Sequence, residues 1–358
     1  MTGKMPVSSS CPPIRQLPER EEAIKNQIGF AAVCGKSYPP SKLTMQTIAL
    51  GRSSLRASRL AYGCWRIAGT WNAAEVTAKS EAAGMRAVVA ACEAGFTLFD
   101  LADIYCDGMA EKVFGQALKE VSGMRQRVLI ATKCGIRKPG EPAAGAPYRY
   151  DFSADYIVAS CEQSLRRLGV ETVDLYQLHR PDYLMDPEEV AGAFNRLKQA
   201  GKVREFGVSN FRPSQLTALQ SACPMPLVVN QVEISLAQRA SFEDGTLDQC
   251  LAEHVTPMAW SPLAGGQLGD GAKRILPSQE GYRTQGLVTA LDELAKARGL
   301  SRTVLALAWL LQHPSRIVPI IGSTDPANIR ETVRAADVSL TREEWYRLLE
   351  AARSERLP

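Results

Sequence analysis

The feature that most limits the folds open to this chain is an alternation. From Met45 onward, short apolar runs of strand type are separated by segments with helical periodicity, and the pattern recurs until eight strands are counted. Strands are expected at residues 59–65, 97–102, 127–133, 173–178, 205–209, 227–232, 257–260 and 317–322. Helices are expected at 81–94, 110–119, 154–168, 187–200, 213–221, 247–253, 287–297, 303–311, 326–335 and 342–354. Cap signals agree: Asp186-Pro187-Glu188 places a capping acid, a first-turn proline and a second acid at one helix start. Gly95 and Gly201 follow helix ends, where a left-handed residue is favoured.

Strands alternating with helices imply βαβ units and a parallel sheet. Eight strands, each followed by helix, favour a closed (β/α)8 TIM barrel over an open doubly wound sheet. The latter would carry GxGxxG after its first strand, where this chain has Gly63-Cys64-Trp65-Arg66. Such a barrel needs roughly 250 residues, so 358 residues accommodate one domain over 45–358 with trimmings. Residues 1–44 hold Ser8-Ser9-Ser10, several prolines and little periodicity. They lack the basic start and apolar stretch of a signal peptide. They are expected to be an irregular, disordered extension or to lie upstream of a start at Met45.

Composition removes several function classes. A net charge of +4, spread without a Lys/Arg block, argues against nucleic acid or an anionic membrane as partner. The cysteines number nine, with no CxxC pair, so neither a disulfide framework nor a zinc site is indicated. Free thiols point to a reducing compartment, the cytoplasm. No apolar run approaches the ~20 residues that span a bilayer.

In such barrels the reactive groups lie at the C-terminal ends of strands. Polar residues at the exits of the second, third and fourth strands are Asp100, with Tyr105 five residues later, Lys133 and His179. Singly, each has an ordinary explanation: a solvated lysine, a structural histidine, a packed tyrosine ring. Together they match the needs of carbonyl reduction, in which the developing alkoxide must receive a proton. A free tyrosine has a pKa of about 10; a neighbouring ammonium lowers it, and a carboxylate holds that ammonium charged and oriented. A histidine supplies a hydrogen bond to the carbonyl oxygen. No metal is needed and no ligand cluster is evident.

Around these residues the sequence resembles the aldo-keto reductases. The similarity is carried by Phe99-Asp100-Leu101-Ala102-Asp103-Ile104-Tyr105, Thr132-Lys133, Leu178-His179-Arg180-Pro181-Asp182, the run from Gly201 to Phe211, and Asn230-Gln231-Val232-Glu233. Residues 185–207 and 245–249 look closest to a bacterial oxidoreductase branch of broad carbonyl specificity. The resemblance implies Tyr105 as proton donor, Asp100 and Lys133 as its tuning pair, and His179 as the residue orienting the carbonyl. It further implies that Ser209, Asn210 and Gln231 hold a nicotinamide carboxamide and that Trp260 stacks on the ring. The turn Ser261-Pro262-Leu263-Ala264-Gly265 would wrap the diphosphate of NADP(H) or NAD(H). The segment containing Gly322, Ser323, Asp325, Asn328 and Glu331 would take the adenosine phosphate.

In that last segment the chain departs from NADPH-preferring members, which usually place Lys or Arg where it has Asp325 and Asn328. An acid suits a ribose hydroxyl and repels a 2′-phosphate, so a weakened NADP(H) preference is expected, with Arg330 one turn away. Trp65, Trp71, Tyr105 and Tyr148 are expected to line an aromatic mouth, with loop 136–152 over one side and no long C-terminal loop closing it. The expected activity is reduction of an aldehyde, ketone or sugar. A sugar or alcohol dehydrogenase working with NAD+ and a cofactor-binding regulatory subunit are the alternatives. A monomer or small homo-oligomer is expected.

Overall fold

The computed structural model describes residues 45–357; the segment 1–44, expected to be an extension, lies outside them. The chain enters through a hairpin of β1 (Thr47–Ala49) and β2 (Arg56–Ser58), paired antiparallel. Eight parallel strands then close into a barrel. They are β3 (Ala61–Gly63), β4 (Leu98–Asp100), β5 (Leu129–Cys134), β8 (Val173–Leu178), β9 (Val203–Ser209), β10 (Leu227–Glu233), β11 (Thr256–Trp260) and β12 (Val318–Ile321). Each neighbours the next, and β12 returns to pair with β3. A second small hairpin, β6 (Ile136–Arg137) with β7 (Arg149–Tyr150), follows β5.

The helices are α1 (Ala78–Glu93), α2 (Met109–Glu120), α3 (Ala154–Leu168), α4 (Pro187–Gln199), α5 (Pro213–Ala222), α6 (Thr246–Glu253), α7 (Gln285–Arg298), α8 (Arg302–Leu311), α9 (Pro326–Thr332) and α10 (Arg342–Arg353). A single turn at Met124–Arg127 precedes β5. Capping follows side-chain chemistry: Thr77 and Ser80 form a reciprocal box at α1, and Asp186 accepts from the Glu188 amide at 2.9 Å.

Strand periodicity sorts side chains between two layers. Leu98, Ala131, Leu175, Val229, Met258 and Val318 belong to one buried cluster inside the barrel, sealed from below by Ile48, Leu50, Leu55 and Ala57 of the β1–β2 hairpin. Their neighbours one residue along, such as Phe99, Ile130 and Tyr176, pack outward against helical residues including Val88, Phe114, Ile157 and Phe194. A step of two from the interior cluster reaches Asp100, Lys133, Gln177, Gln231 and Trp260. The same parity that fills the lower barrel with apolar groups therefore raises these polar ones at its upper end.

Two expected element bounds are corrected. The first barrel strand is shorter than 59–65: after Gly63 the chain bends into a 3-10 turn at Cys64–Arg66, closed by Ile67 N–H to Cys64 O (3.2 Å). The helix expected to 335 is α-helical only to Thr332 and finishes as a 3-10 segment, Val333–Asp337. Loop 136–152 is partly ordered by the β6–β7 pairing, where Arg137 also binds Asp151 at 2.9 Å.

Candidate active site

Lys133 Nζ lies at the centre of the upper barrel, with none of its surface exposed. It donates to Asp100 Oδ2 (2.8 Å), to the Leu101 carbonyl (2.8 Å) and to the Tyr105 hydroxyl (3.2 Å). Asp100 Oδ1 accepts from Gln231 Nε2 at 2.8 Å, so both oxygens of this carboxylate are occupied. Tyr105 reaches the same place from the loop after β4. There the left-handed backbone of Cys106 (φ 48°) and Asp107 (φ 53°) turns the chain sharply, a conformation costly for non-glycine residues and concentrated at functional sites. His179 packs against Tyr105 with ring centroids 5.8 Å apart, and its Nδ1 is buried without a partner. All four expected residues thus converge.

The electrostatics amend one expectation. Burial pushes the Tyr105 phenol above the ordinary tyrosine value, and the Lys133 ammonium offsets only part of this. Tyr105 is therefore held as a neutral phenol and not lowered toward neutrality. Burial alone would depress Lys133, but Asp100, Tyr105 and their hydrogen bonds hold it above the usual lysine value. Burial, then the charges of Lys133 and Arg180, keep His179 far below the usual histidine range. At neutral pH the site holds a charged lysine, a neutral phenol and a neutral imidazole.

Next to this cluster, Asn210 Nδ2 donates to the His179 carbonyl (3.1 Å) and to Ser209 Oγ (2.8 Å). Ser209 Oγ donates to Gln231 O at 2.8 Å, and Asn210 Oδ1 accepts from Trp260 Nε1 at 3.0 Å. The residues assigned to a carboxamide are therefore contiguous, and the Trp260 ring is anchored by its indole edge. Arg180 lies over that ring, 5.5 Å from its centroid. Past β11, Ser261 (φ 51°), Ala264 (φ 49°) and Gly265 (φ 65°) form a tight turn containing Pro262 and Leu263. Gly265 N–H donates to Ser261 Oγ at 3.0 Å.

At the β12 exit, an added Cβ on Gly322 would lie 2.8 Å from Trp65 Nε1, so the indole rests on bare backbone. The Ser323 carbonyl accepts from the Tyr62 hydroxyl at 2.9 Å. Asp325 caps α9, its Oδ1 accepting from the Ala327 amide at 2.7 Å, so one oxygen of the acid already has a structural task. Glu331 accepts from Ser301 Oγ (3.0 Å) and binds Arg334 (3.0 Å). Asn328 and Arg330 are exposed.

At the mouth, Trp65 and Trp71 sit 5.3 Å apart, and Trp71 meets Tyr105 edge-on at 6.3 Å. Tyr148 stands apart from that group: its aromatic neighbour is Tyr150 at 6.0 Å. Sequence reasoning missed Gln279, a buried side chain that donates to Ser261 Oγ (2.8 Å) and Glu233 Oε1 (2.6 Å), fixing the turn after β11. No local pattern marks it, because its partners are distant in the chain. Arg180 was visible beside His179, but nothing in the sequence placed it over Trp260.

The set of groups suits hydride chemistry assisted by a proton donor, with polar side chains and a backbone turn along one side of the mouth. Residues 59–353 match the Aldo/keto reductase family. The chain is 42% identical over 315 residues to the 6-dehydroglucose reductase of Novosphingobium aromaticivorans, covering 86% of this chain and 96% of that protein. It is 39% identical over 311 residues to oxidoreductase YdhF of Escherichia coli, covering 86% and 98%. Among solved structures, the glycerol dehydrogenase of Gluconobacter oxydans superposes with a TM-score of 0.75 at 27% identity, covering 87% and 97%.

Proposed function

This chain belongs to the aldo/keto reductase family of NAD(P)-dependent oxidoreductases, and from that premise we propose that it reduces an aldehyde, ketone or sugar carbonyl with Tyr105 as proton donor. The observation that carries the reading is the Tyr105 hydroxyl held 3.2 Å from a fully buried, charge-paired Lys133.

A reduced nicotinamide dinucleotide, when bound, supplies the hydride to the carbonyl carbon. The Ser209 hydroxyl and the Asn210 amide, joined to each other and to the Gln231 backbone carbonyl, and the anchored Trp260 ring would suit a planar carboxamide-bearing group. Tyr105 is neutral and so gives its O–H proton to the developing alkoxide oxygen; Lys133 stabilises the phenolate left behind, and Asp100 keeps that lysine charged and aimed. His179, held neutral, orients the carbonyl oxygen through an N–H. The aromatic wall of Trp65 and Trp71 favours compact substrates with an apolar face, and a sugar carbonyl is included by analogy with the 6-dehydroglucose reductase relative. The cofactor reading is that NAD(H) serves at least as well as NADP(H); it is supported by the resemblance, which aligns the acid Asp325 with a position where NADPH-preferring members carry a cation.

The test is cofactor oxidation followed with NADH and NADPH against a panel of aldehydes, ketones and aldehyde-bearing sugars, for wild type and Tyr105→Phe. The variant is expected to lose about 10²–10⁴-fold in kcat while binding cofactor as wild type does. Full activity in Tyr105→Phe would remove the assigned donor, and an NADPH advantage of about a hundredfold in kcat/KM, equivalent to about 2.7 kcal/mol, would overturn the cofactor reading. Cofactor binding without turnover in either direction would favour a regulatory subunit.

A further inference from the structure

One guanidinium at the mouth is claimed by no partner. Arg180 follows His179 at the β8 exit, and its guanidinium carbon lies 5.5 Å from the centroid of the Trp260 ring at the β11 exit. In the closed barrel β9 and β10 stand between those two strands, so the side chain extends over the barrel top. Asn210 of the β9 exit spans the same gap, donating to the His179 carbonyl (3.1 Å) and accepting from Trp260 Nε1 (3.0 Å). Tyr105 packs on the His179 ring at 5.8 Å. Arg180, His179, Tyr105 and Trp260 therefore share one mouth. Among the described residues, Arg180 makes no ion pair and its side chain donates no hydrogen bond. Acids around it are engaged elsewhere. Asp182 accepts from the Leu184 amide (2.9 Å) on one oxygen and the Phe152 amide (3.0 Å) on the other. Glu233 Oε1 accepts from Gln279 Nε2 (2.6 Å) and the Tyr282 hydroxyl (3.2 Å).

We propose that Arg180 is a specificity-determining residue that binds an anionic group, a carboxylate or a phosphate, on the carbonyl substrate, an inference that rests on the reductase reading above. A guanidinium presents parallel N–H donors that match carboxylate and phosphate oxygens in pairs. Arg180 is half-buried, so salt screens it less than a surface arginine. Its contact with the Trp260 ring holds the fork in place before substrate arrives. The spacing of the two substrate groups follows from the chain. Tyr105 and His179 take the carbonyl oxygen, and Arg180 is the residue after His179, so a short carbon chain separates carbonyl from anion. Trp65 and Trp71 offer an apolar wall for that chain. The substrate class is therefore an oxo acid, an acidic sugar aldehyde or a phosphorylated aldehyde. Burial sets the direction of the shifts at Tyr105, His179 and Glu233, and at each the Arg180 charge is a further, lowering influence. An anion seated on Arg180 cancels that influence, so a bound substrate leaves the Tyr105 phenol more firmly protonated.

The experiment is steady-state reduction of matched substrate pairs by wild type, Arg180→Met and Arg180→Lys, with cofactor at saturation. One pair is para-carboxybenzaldehyde and its methyl ester; the other is glycolaldehyde phosphate and glycolaldehyde. Wild type is expected to favour the anionic member of at least one pair by about 10- to 100-fold in kcat/KM. The preference should lie chiefly in KM and shrink as salt is raised. Arg180→Met should bring the ratio close to unity, while Arg180→Lys, which keeps charge but loses the fork, should retain part of it. The pair that responds identifies the anion. A ratio taken within one protein cancels any general loss that substitution imposes on Tyr105 or His179. The wild-type ratio and its salt dependence need no variant, which keeps the test decisive should Arg180→Met fail to fold. Equal kcat/KM within both pairs in wild type would overturn the proposal, as would a preference that survives in Arg180→Met. A weakened NADH Kd in Arg180→Met with the ratio intact would place Arg180 against the cofactor and overturn it too. Wild type that reduces neither these aldehydes nor the panel above would remove the reductase reading itself; reduction of both members of each pair alike removes the role of Arg180 alone.

Discussion

Asp103 stands two residues before Tyr105 and shows how one side chain can carry a cost for its neighbours. Its amide donates to the Lys133 carbonyl at 3.1 Å, which ties the Tyr105 loop to β5. Its Oδ2 accepts from Ser160 Oγ at 2.7 Å, but Oδ1 is sealed from solvent with no partner, although the residue as a whole is partly exposed. Burial pushes this carboxyl up to about 7, with the Ser160 hydrogen bond opposing and Glu111 adding to the rise. Because the folded state binds the proton more tightly than an unfolded carboxyl with a pKa near about 3.9, stability contributed here grows as pH falls through 7 and is lost as pH rises. Between pH 8 and 6, wild type should therefore gain about 2 °C in Tm relative to Asp103→Asn. Parallel pH profiles for the two proteins in thermal melts would show the burial cost is absent. The same scale explains what the sequence could and could not say about Tyr105. Its partner Lys133 follows from strand-exit reasoning, whereas the direction of its pKa depends on how much water the assembled mouth excludes.

At the scale of elements, α1 tests close packing against propensity. Gly84 sits inside this helix, where replacement by alanine would ordinarily gain about 1 kcal/mol. An added Cβ, however, would fall 1.9 Å from the Ile67 carbonyl oxygen, in backbone that cannot swing aside. Overpacking of this kind costs about 1–3 kcal/mol, so the clash outweighs the propensity. Gly84→Ala should lower Tm; a rise would mean that the turn carrying Trp65 and Arg66 yields freely. Helix positions themselves were legible, and 154–168 is found as α3 (Ala154–Leu168), because amphipathic spacing and caps are local properties. The ends of β3 and α9 were not: Trp65 turns toward Gly322, and the 3-10 segment after α9 packs against α8.

For the whole molecule, the β1–β2 hairpin closes the end of the barrel opposite the site. Leu50 and Leu55 are buried there against interior residues of the strands, and Gly51 N–H donates to Thr256 Oγ1 at 2.8 Å. Leu50→Ala would leave a cavity in this layer and should cost about 2–5 kcal/mol of stability. Cofactor affinity should stay unchanged, since the polar layer lies at the other end of the strands. Denaturant unfolding paired with a cofactor titration checks both halves, and affinity falling with stability would show that the two ends are coupled. Among the described residues, no helix is long and apolar enough to cross a membrane.

Strand and helix order, the barrel they close, and the polar residues at its strand exits were determined by the sequence alone. Hydrophobic period, cap chemistry and the parity of side chains along a strand are all written in neighbouring residues. Tertiary structure alone decided the rest. It placed Gln279 under Ser261, Arg180 over Trp260 and Trp65 against Gly322. Those contacts join segments far apart in the chain, and burial, which sets the charge state of Tyr105 and Asp103, exists only once the segments have packed.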